Sequence, residues 1–157
     1  MIQKFAFELA PGISLGEEKP ILIAGPCVVE AANITLYTAK FLRDLTSDLG
    51  ISFIFKSSFD KANRTSSGSF RSVGFESALE ILGQVRAELN VPVLTDVHET
   101  NQVDQVAKAV DVLQIPAFLC RQTDLIQKAG STGLPIKPPA KSISSSPSSA
   151  MPVELME

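Results

Sequence analysis

Between positions 56 and 71 the chain sets four cations, Lys56, Lys61, Arg64 and Arg71, against a single anion, Asp60. The whole protein carries a net charge of −3, so this positive stretch stands out locally. Lysine offers a mobile point charge and arginine a bidentate fork, and both suit phosphate oxygens. Ser58, Thr65 and neighbouring hydroxyls add donors. A solvated basic loop would have the same composition. What favours an anion site is position, because the loop directly follows Phe53-Ile-Phe55, which reads as a buried strand.

Three further segments carry reactive groups. In Asp96-Val-His-Glu99 a carboxylate stands close to the only histidine, an arrangement open to general base work or to a metal pair. A lone loop histidine more often serves as a hydrogen-bonding scaffold, so Asp96 is the stronger candidate and His98 its support. Cys27 follows Gly25-Pro26 and reads either as a small buried hydrophobe or as a thiolate ligand. Cys120 reads as packing. One histidine and no CxxC pair argue against a structural zinc site. Two distant cysteines in a chain whose opening apolar stretch is broken by Glu8 argue against export and against a disulfide.

These groups need a scaffold that gathers them, and the hydrophobic pattern supplies one. Ile21–Ala24, Phe53–Phe55, Val91–Thr95 and Val112–Ile115 are short continuous apolar runs, as expected of strands covered on both faces. Between them lie stretches of helical period. Ile34, Tyr37, Phe41, Leu42, Leu45 and Leu49 form the first apolar stripe, with Asn33 as N-cap and Gly50 at the C-cap. Phe75, Ala78, Leu79, Leu82, Val85 and Leu89 form the second; Val103, Val106, Ala107 and Val110 mark a third helix, and a fourth begins near Gln122.

Alternation of this kind means parallel strands joined by helices. A doubly wound open sheet and a (β/α)8 barrel both fit; 157 residues suit the former slightly better, since a full barrel takes about 250. In either fold function gathers at the C-terminal ends of strands, where all four reactive segments fall.

The remaining sequence sets limits. No apolar run approaches the roughly 18 residues of a membrane span, and the acidic net charge gives no general pull toward nucleic acid. A cytoplasmic protein is expected. Residues 1–19 read as an extension with a hairpin around Pro11-Gly12. Residues 137–157, dominated by Ser and Pro, read as a tail without regular structure.

Taken together, Ala24-Gly-Pro-Cys27 with Glu30, Phe55-Lys-Ser-Ser-Phe-Asp-Lys-Ala-Asn-Arg-Thr-Ser-Ser67, Thr95-Asp-Val-His-Glu99 and Gln114-Ile-Pro-Ala-Phe-Leu-Cys-Arg-Gln-Thr-Asp-Leu125 resemble the strand-end signatures of the 3-deoxy-8-phosphooctulonate synthase family, in order and in spacing, over residues 20–136. The Lys61-Ala-Asn-Arg64 segment separates that family from relatives acting on erythrose 4-phosphate. The resemblance implies a (β/α)8 TIM barrel, here about its first four βα units. It implies condensation of phosphoenolpyruvate with arabinose 5-phosphate and water, releasing phosphate, for synthesis of the lipopolysaccharide sugar Kdo.

By motif position, Lys56 and Lys61 would bind the carboxylate and phosphate of phosphoenolpyruvate, with Ser58, Asp60 and Gln114 lining the same pocket. Asn63, Arg64 and Thr65 would hold arabinose 5-phosphate, faced by Asp96. Lys61, Asn63 and Asp96 would be the catalytic set. Pro116 and Ala117 would shape the wall, and Arg121 would reach a substrate phosphate across a subunit interface, the family being commonly tetrameric. Metal-dependent members carry cysteine at the position of Cys27, which implies a divalent ion such as zinc, iron or manganese.

After Ile136 the pattern departs from the family. Pro138-Pro139 stands where a lysine-rich fifth strand is expected, so Lys137 is not carried over. The other metal ligands, which the family places on later strands, are not found. The expectation is an incomplete barrel with little activity of its own, or else a non-catalytic half-barrel that binds phosphate or associates with itself.

Overall fold

The apolar runs pair side by side. The computed structural model describes residues 7–16, 20–60 and 72–137, with residues 153–156 as backbone alone. In chain order the elements are β1 (Phe7–Ala10), β2 (Ile13–Leu15), β3 (Ile21–Ala24), α1 (Ala32–Asp48), β4 (Ser52–Lys56), α2 (Phe75–Leu89), β5 (Val93–Asp96), α3 (Val103–Ala109), β6 (Val112–Gln114), a 3-10 turn (Ala117–Leu119), α4 (Thr123–Gly130), β7 (Ile136–Lys137) and β8 (Val153–Met156). The main sheet has the order β7-β6-β5-β4-β3-β8. From β3 to β7 every neighbouring pair is parallel, with a helix between successive strands. This curled half-barrel, not an open doubly wound sheet, is the architecture.

Strand alternation sorts the side chains into two cores. Phe53, Phe55, Val93 and Leu113 point outward and pack with Ala78, Leu82, Val85, Val106 and Leu125 of the helices. Ile21, Ile23, Ile54, Leu94 and Val112 point inward. The β1–β2 hairpin, turning at Pro11-Gly12, seals that inner layer with Leu9, Ala10 and Ile13. Each fully buried side chain of this size contributes about 1.5–3 kcal/mol. Both faces of the main sheet are therefore apolar through most of each strand, and its buried polar strand residues, Thr95 and Lys137, lie toward the C-terminal ends.

Helix α1 differs from expectation. Its buried residues are Thr35, Ala39, Leu42 and Thr46. Of the apolar stripe, only Leu42 is buried, while Ile34, Tyr37, Phe41, Leu45 and Leu49 are exposed. Small residues on the inner face let the helix lie close to the sheet. The hydroxyls of Thr35 and Thr46 donate to the carbonyls of Ala31 and Leu42, at 2.8 and 2.7 Å, so burying them leaves no unsatisfied group. The helix starts at Ala32, one residue before the expected cap Asn33. It ends with Gly50 at φ 65° and backbone bonds from Gly50 to Ser47 and from Ile51 to Thr46, a Schellman ending.

Regular structure also occurs where a structureless tail was expected. Ile136–Lys137 pairs with β6. Two of the bonds at its ends run from β6 to carbonyls of this segment: the Leu113 N–H donates to Pro135 O and the Ile115 N–H to Lys137 O. The amide hydrogens missing from Pro138 and Pro139 are not needed for that pairing. At the other edge, Val153–Met156 runs antiparallel to β3.

Candidate active site

The inward positions one step beyond the apolar layer carry the chemistry. On β4, Ile54 faces inward and Lys56 is the next residue on that face. On β5, Leu94 is followed by Asp96; on β6, Val112 is followed by Gln114. Asp96 is in register with Gln114, and Gln114 with Lys137. A cation, a carboxylate, an amide and a second cation thus line one end of four consecutive strands. Lys137 is 4% exposed. Sequence reasoning set it aside because of the two prolines that follow; the preceding apolar Leu134-Pro-Ile136 run was the available signal of a strand.

Asp96 is the best-defined group. Its Oδ2 lies 2.8 Å from Nε2 of His98, and both side chains are largely buried, 14% and 12% exposed. Burial opposes ionisation of this carboxyl and is the largest influence on it. The hydrogen bond and charge of His98 act the other way, with smaller help from the Ser58 hydroxyl and the Lys56 charge, and the balance holds the Asp96 pKa below its usual 3.8. The Ser58 hydroxyl itself is engaged with the Asp60 backbone, donating to O at 2.7 Å and accepting from N–H at 3.2 Å. Oδ1 of Asp96 and Oε1 of Gln114 are buried without a hydrogen-bond partner in the structure. Among the described residues both are acceptors without a partner, a state that suits groups facing a ligand.

His98 is positioned from three sides. Its backbone N–H and that of Glu99 donate to Oε1 of Gln102, at 3.3 and 3.1 Å. Its ring lies 5.1 Å from that of Phe59, which meets Phe75 edge-on at 5.0 Å. The scaffold reading of His98 thereby has a geometry. Beside it, Phe59, Asp60, Ser72, Gly74, Phe75 and Gln102 line a cavity of about 390 Å³.

Cys27 reaches this end through the backbone. Its carbonyl accepts from the Ser58 N–H at 3.3 Å, and the Val29 N–H donates to Ser58 O at 2.9 Å, extending the β3–β4 pairing past Gly25. Gly25 is needed there, because a Cβ would stand 2.0 Å from the Lys56 carbonyl oxygen. Both Cys27 and Cys120 are exposed free thiols, so neither is the buried hydrophobe that composition allowed. Among the described residues no three His, Cys, Asp or Glu side chains come together to hold a metal. Cys27 alone does not make such a centre.

Pro116 is buried and turns the chain into the 3-10 segment, where Ala117 and Phe118 are exposed; Arg121 is exposed just beyond. Lys61, Asn63, Arg64 and Thr65 lie outside the described residues. A larger cleft, about 610 Å³, opens at the opposite end of the strands between Pro11, Arg86, Pro92 and Asp111. Its Arg86 is committed to Asp111 at 3.0 Å, and it lies away from Lys56 and Asp96.

Residues 4–138 match the model of a family described as the DAHP synthetase I family. Among curated relatives, the 2-dehydro-3-deoxyphosphooctonate aldolase of Albidiferax ferrireducens is 56% identical over 126 residues, 80% of this chain and 44% of that protein. The proteins of the same name from Stenotrophomonas maltophilia, 56% identical over 126 residues (80% of this chain and 46% of the relative), and Methylococcus capsulatus, 55% over 131 residues (83% and 46%), are similar to the same degree. The chain therefore spans less than half the length of the curated relatives it matches.

Proposed function

The chain belongs to the DAHP synthetase I family, and from that premise we propose that it serves the aldol-type condensation of phosphoenolpyruvate with D-arabinose 5-phosphate and water, giving 3-deoxy-D-manno-octulosonate 8-phosphate and phosphate. The relatives' shared name supports this reading. An eight-carbon 2-oxo-3-deoxy acid phosphate divides between carbons 3 and 4 into a three-carbon pyruvyl unit and a five-carbon aldose phosphate. A site joining two such anions must suppress their repulsion and fix the angle of attack. The observation that carries the proposal is the row of Lys56, Asp96, Gln114 and Lys137 on the inner face at one end of the strands.

In this reading Lys56 and Lys61 neutralise the carboxylate and phosphate of phosphoenolpyruvate, and Ser58, Asp60 and Gln114 line its pocket. Asn63, Arg64 and Thr65 hold the sugar phosphate. Asp96, kept ionised by His98, accepts a hydrogen bond from a sugar hydroxyl and orients the aldehyde toward carbon 3. Water then adds at carbon 2, and phosphate leaves by C–O cleavage. Pro116 and Ala117 shape the wall, and Arg121 meets a phosphate at a subunit boundary of a homo-oligomer, in the cytoplasm. Cys27 would supply one thiolate to a divalent ion such as zinc, iron or manganese, which would polarise bound oxygen. The described donors do not complete that centre, and the roles assigned to Lys56 and Asp96 do not depend on it.

The test is phosphate release requiring both substrates. The 157 residues assayed alone are expected to bind phosphoenolpyruvate with weak turnover. Adding the remaining part of the Methylococcus capsulatus relative in trans is expected to raise turnover, with arabinose 5-phosphate preferred over erythrose 4-phosphate. Failure to bind either anion sinks the proposal. Binding with no release in any combination favours a non-catalytic phosphate-binding half-barrel.

A further inference from the structure

We propose that Thr95 is a positioning residue: its hydroxyl, bonded to Ser57, sets the spacing between the Lys56–Ser58 half of the site and the Asp96 half. The inference deepens the proposed function and rests on it for what each half holds. Thr95 lies on the outward face of β5, between Val93 of the same strand and Val97 just past it, both part of the outer core, and it is fully buried. Valine would suit that column. A hydroxyl buried there costs free energy unless it is bonded. Thr95 Oγ1 donates to the Ser57 carbonyl at 2.7 Å, at the end of the neighbouring strand.

The bond stands where the ladder gives out. Paired register between β4 and β5 ends at Lys56 and Leu94. The Ser57 N–H still reaches Leu94 O, at 3.3 Å, and the Ser57 carbonyl is held by the Thr95 hydroxyl. One residue further, Ser58 belongs to the other side. Its N–H donates to Cys27 O at 3.3 Å, and its carbonyl accepts from the Val29 N–H at 2.9 Å. The chain therefore leaves β5 at Ser57, and the Thr95 side chain ties the two strands at the point of divergence. Branching at Cβ keeps that tie stiff. Lys56 and Ser58 flank Ser57, and Asp96 follows Thr95, so the tie joins the two halves. Apart from burial and His98, the groups that act on the Asp96 carboxyl are the Ser58 hydroxyl and the Lys56 charge. Strands β3 and β6 flank β4 and β5 in the sheet, so the tie is interior and does not depend on what borders the sheet. Under the proposed reaction Lys56 and Ser58 hold phosphoenolpyruvate and Asp96 faces the sugar. Their spacing then sets the approach of carbon 3 to the aldehyde, where a shift of ~1 Å costs about 100-fold in rate.

Thr95→Val removes the hydroxyl and keeps the shape, whereas Thr95→Ser keeps the hydroxyl. Both are made in the whole chain and assayed with the remaining part of the Methylococcus capsulatus relative, with circular dichroism to check the fold. Thr95→Val is expected to lower kcat about tenfold or more while KM for phosphoenolpyruvate stays within about twofold, and Thr95→Ser to recover most of the loss. A second readout needs no turnover: carbon-detected NMR of the Asp96 carboxyl in the chain alone. Around that carboxyl stand His98 on its own loop, Lys56 and Ser58 from β4, Gln114 from β6 and Lys137 at the same end of β7. Its titration midpoint is expected to rise in Thr95→Val, as Ser58 and Lys56 draw back, and to return in Thr95→Ser. If no combination turns over, the proposed reaction falls and the midpoint alone decides: moved by valine and returned by serine, the tie stands. Wild-type kcat in Thr95→Val, an unmoved Asp96 midpoint, or a loss that Thr95→Ser does not recover would each overturn the proposal.

Discussion

His98 Nε2 stands 2.8 Å from Oδ2 of Asp96, the last residue of β5. A buried carboxylate that would otherwise resist ionisation is thereby held in its charged form. His98→Ala is expected to raise the Asp96 titration midpoint, since burial then acts with less opposition. Carbon-detected NMR of the Asp96 carboxyl would show it; an unmoved midpoint would remove His98 from the account.

The same depression has a stability consequence. Asp96 has a folded pKa below 3.8, so the stabilisation it confers is present in full above its unfolded pKa. It is lost as pH falls through the folded value. Urea midpoints of the wild type are expected to fall between pH 4 and pH 2 by more than those of Asp96→Asn. Parallel curves for the two proteins would count against the assignment.

At the turn out of β3, Gly25→Ala would force a methyl group to 2.0 Å from the Lys56 carbonyl oxygen. That oxygen is backbone and cannot swing aside. The expected loss is about 3 kcal/mol or more. Chemical denaturation of this variant beside Gly83→Ala, where no atom lies within 4 Å, separates a steric effect from a general glycine effect.

Asp111 is 6% exposed; it accepts from the Val93 N–H at 2.9 Å and pairs with Arg86 at 3.0 Å. Asp111→Ala leaves that amide unsatisfied at the start of β5, for an expected cost of about 2–3 kcal/mol. Arg86 is more exposed, so Arg86→Ala is expected to cost less, about 1 kcal/mol. Equal losses in the two variants would mean that the ion pair, not the amide bond, dominates.

Lys56 and Lys137 stand at the same end of the sheet. Under the proposed function, Lys56→Ala and Lys137→Ala each weaken phosphoenolpyruvate binding at least tenfold, as removal of a charge-assisted contact does. Isothermal titration calorimetry would read this directly. Unchanged affinity in both variants would move the anion site elsewhere.

Sequence reading reached the strands and most helices because continuous apolar runs and helical period are local properties. It reached Lys56, Asp96 and Gln114 because each directly follows or ends a strand. It misassigned the face of α1, since periodicity reveals a stripe but not whether a sheet or solvent lies against it. Thr35 and Thr46 look polar in sequence, yet they satisfy their hydroxyls within the helix and bury well. Lys137 is set aside in sequence for a related reason: Pro138-Pro139 argues against a strand, yet the two residues before them pair with β6, which bonds to the carbonyls of Pro135 and Lys137.

The pairing of β8 with β3 has a consequence for folding kinetics. Parallel pairings in the sheet join residues 18 to 38 positions apart, whereas Ile21 and Met156 are separated by 135. Loop-closure entropy grows with that separation, and non-local contacts form slowly. The βα units should therefore assemble first, leaving Ile21–Ala24 as an open template until the last strand arrives. Refolding is then expected to be more concentration-dependent than unfolding, and the pulse-labelled amides of β3 that face β8 should gain protection last. Early protection of the β8-facing amides would show that the edge finds its cover sooner than chain length alone allows.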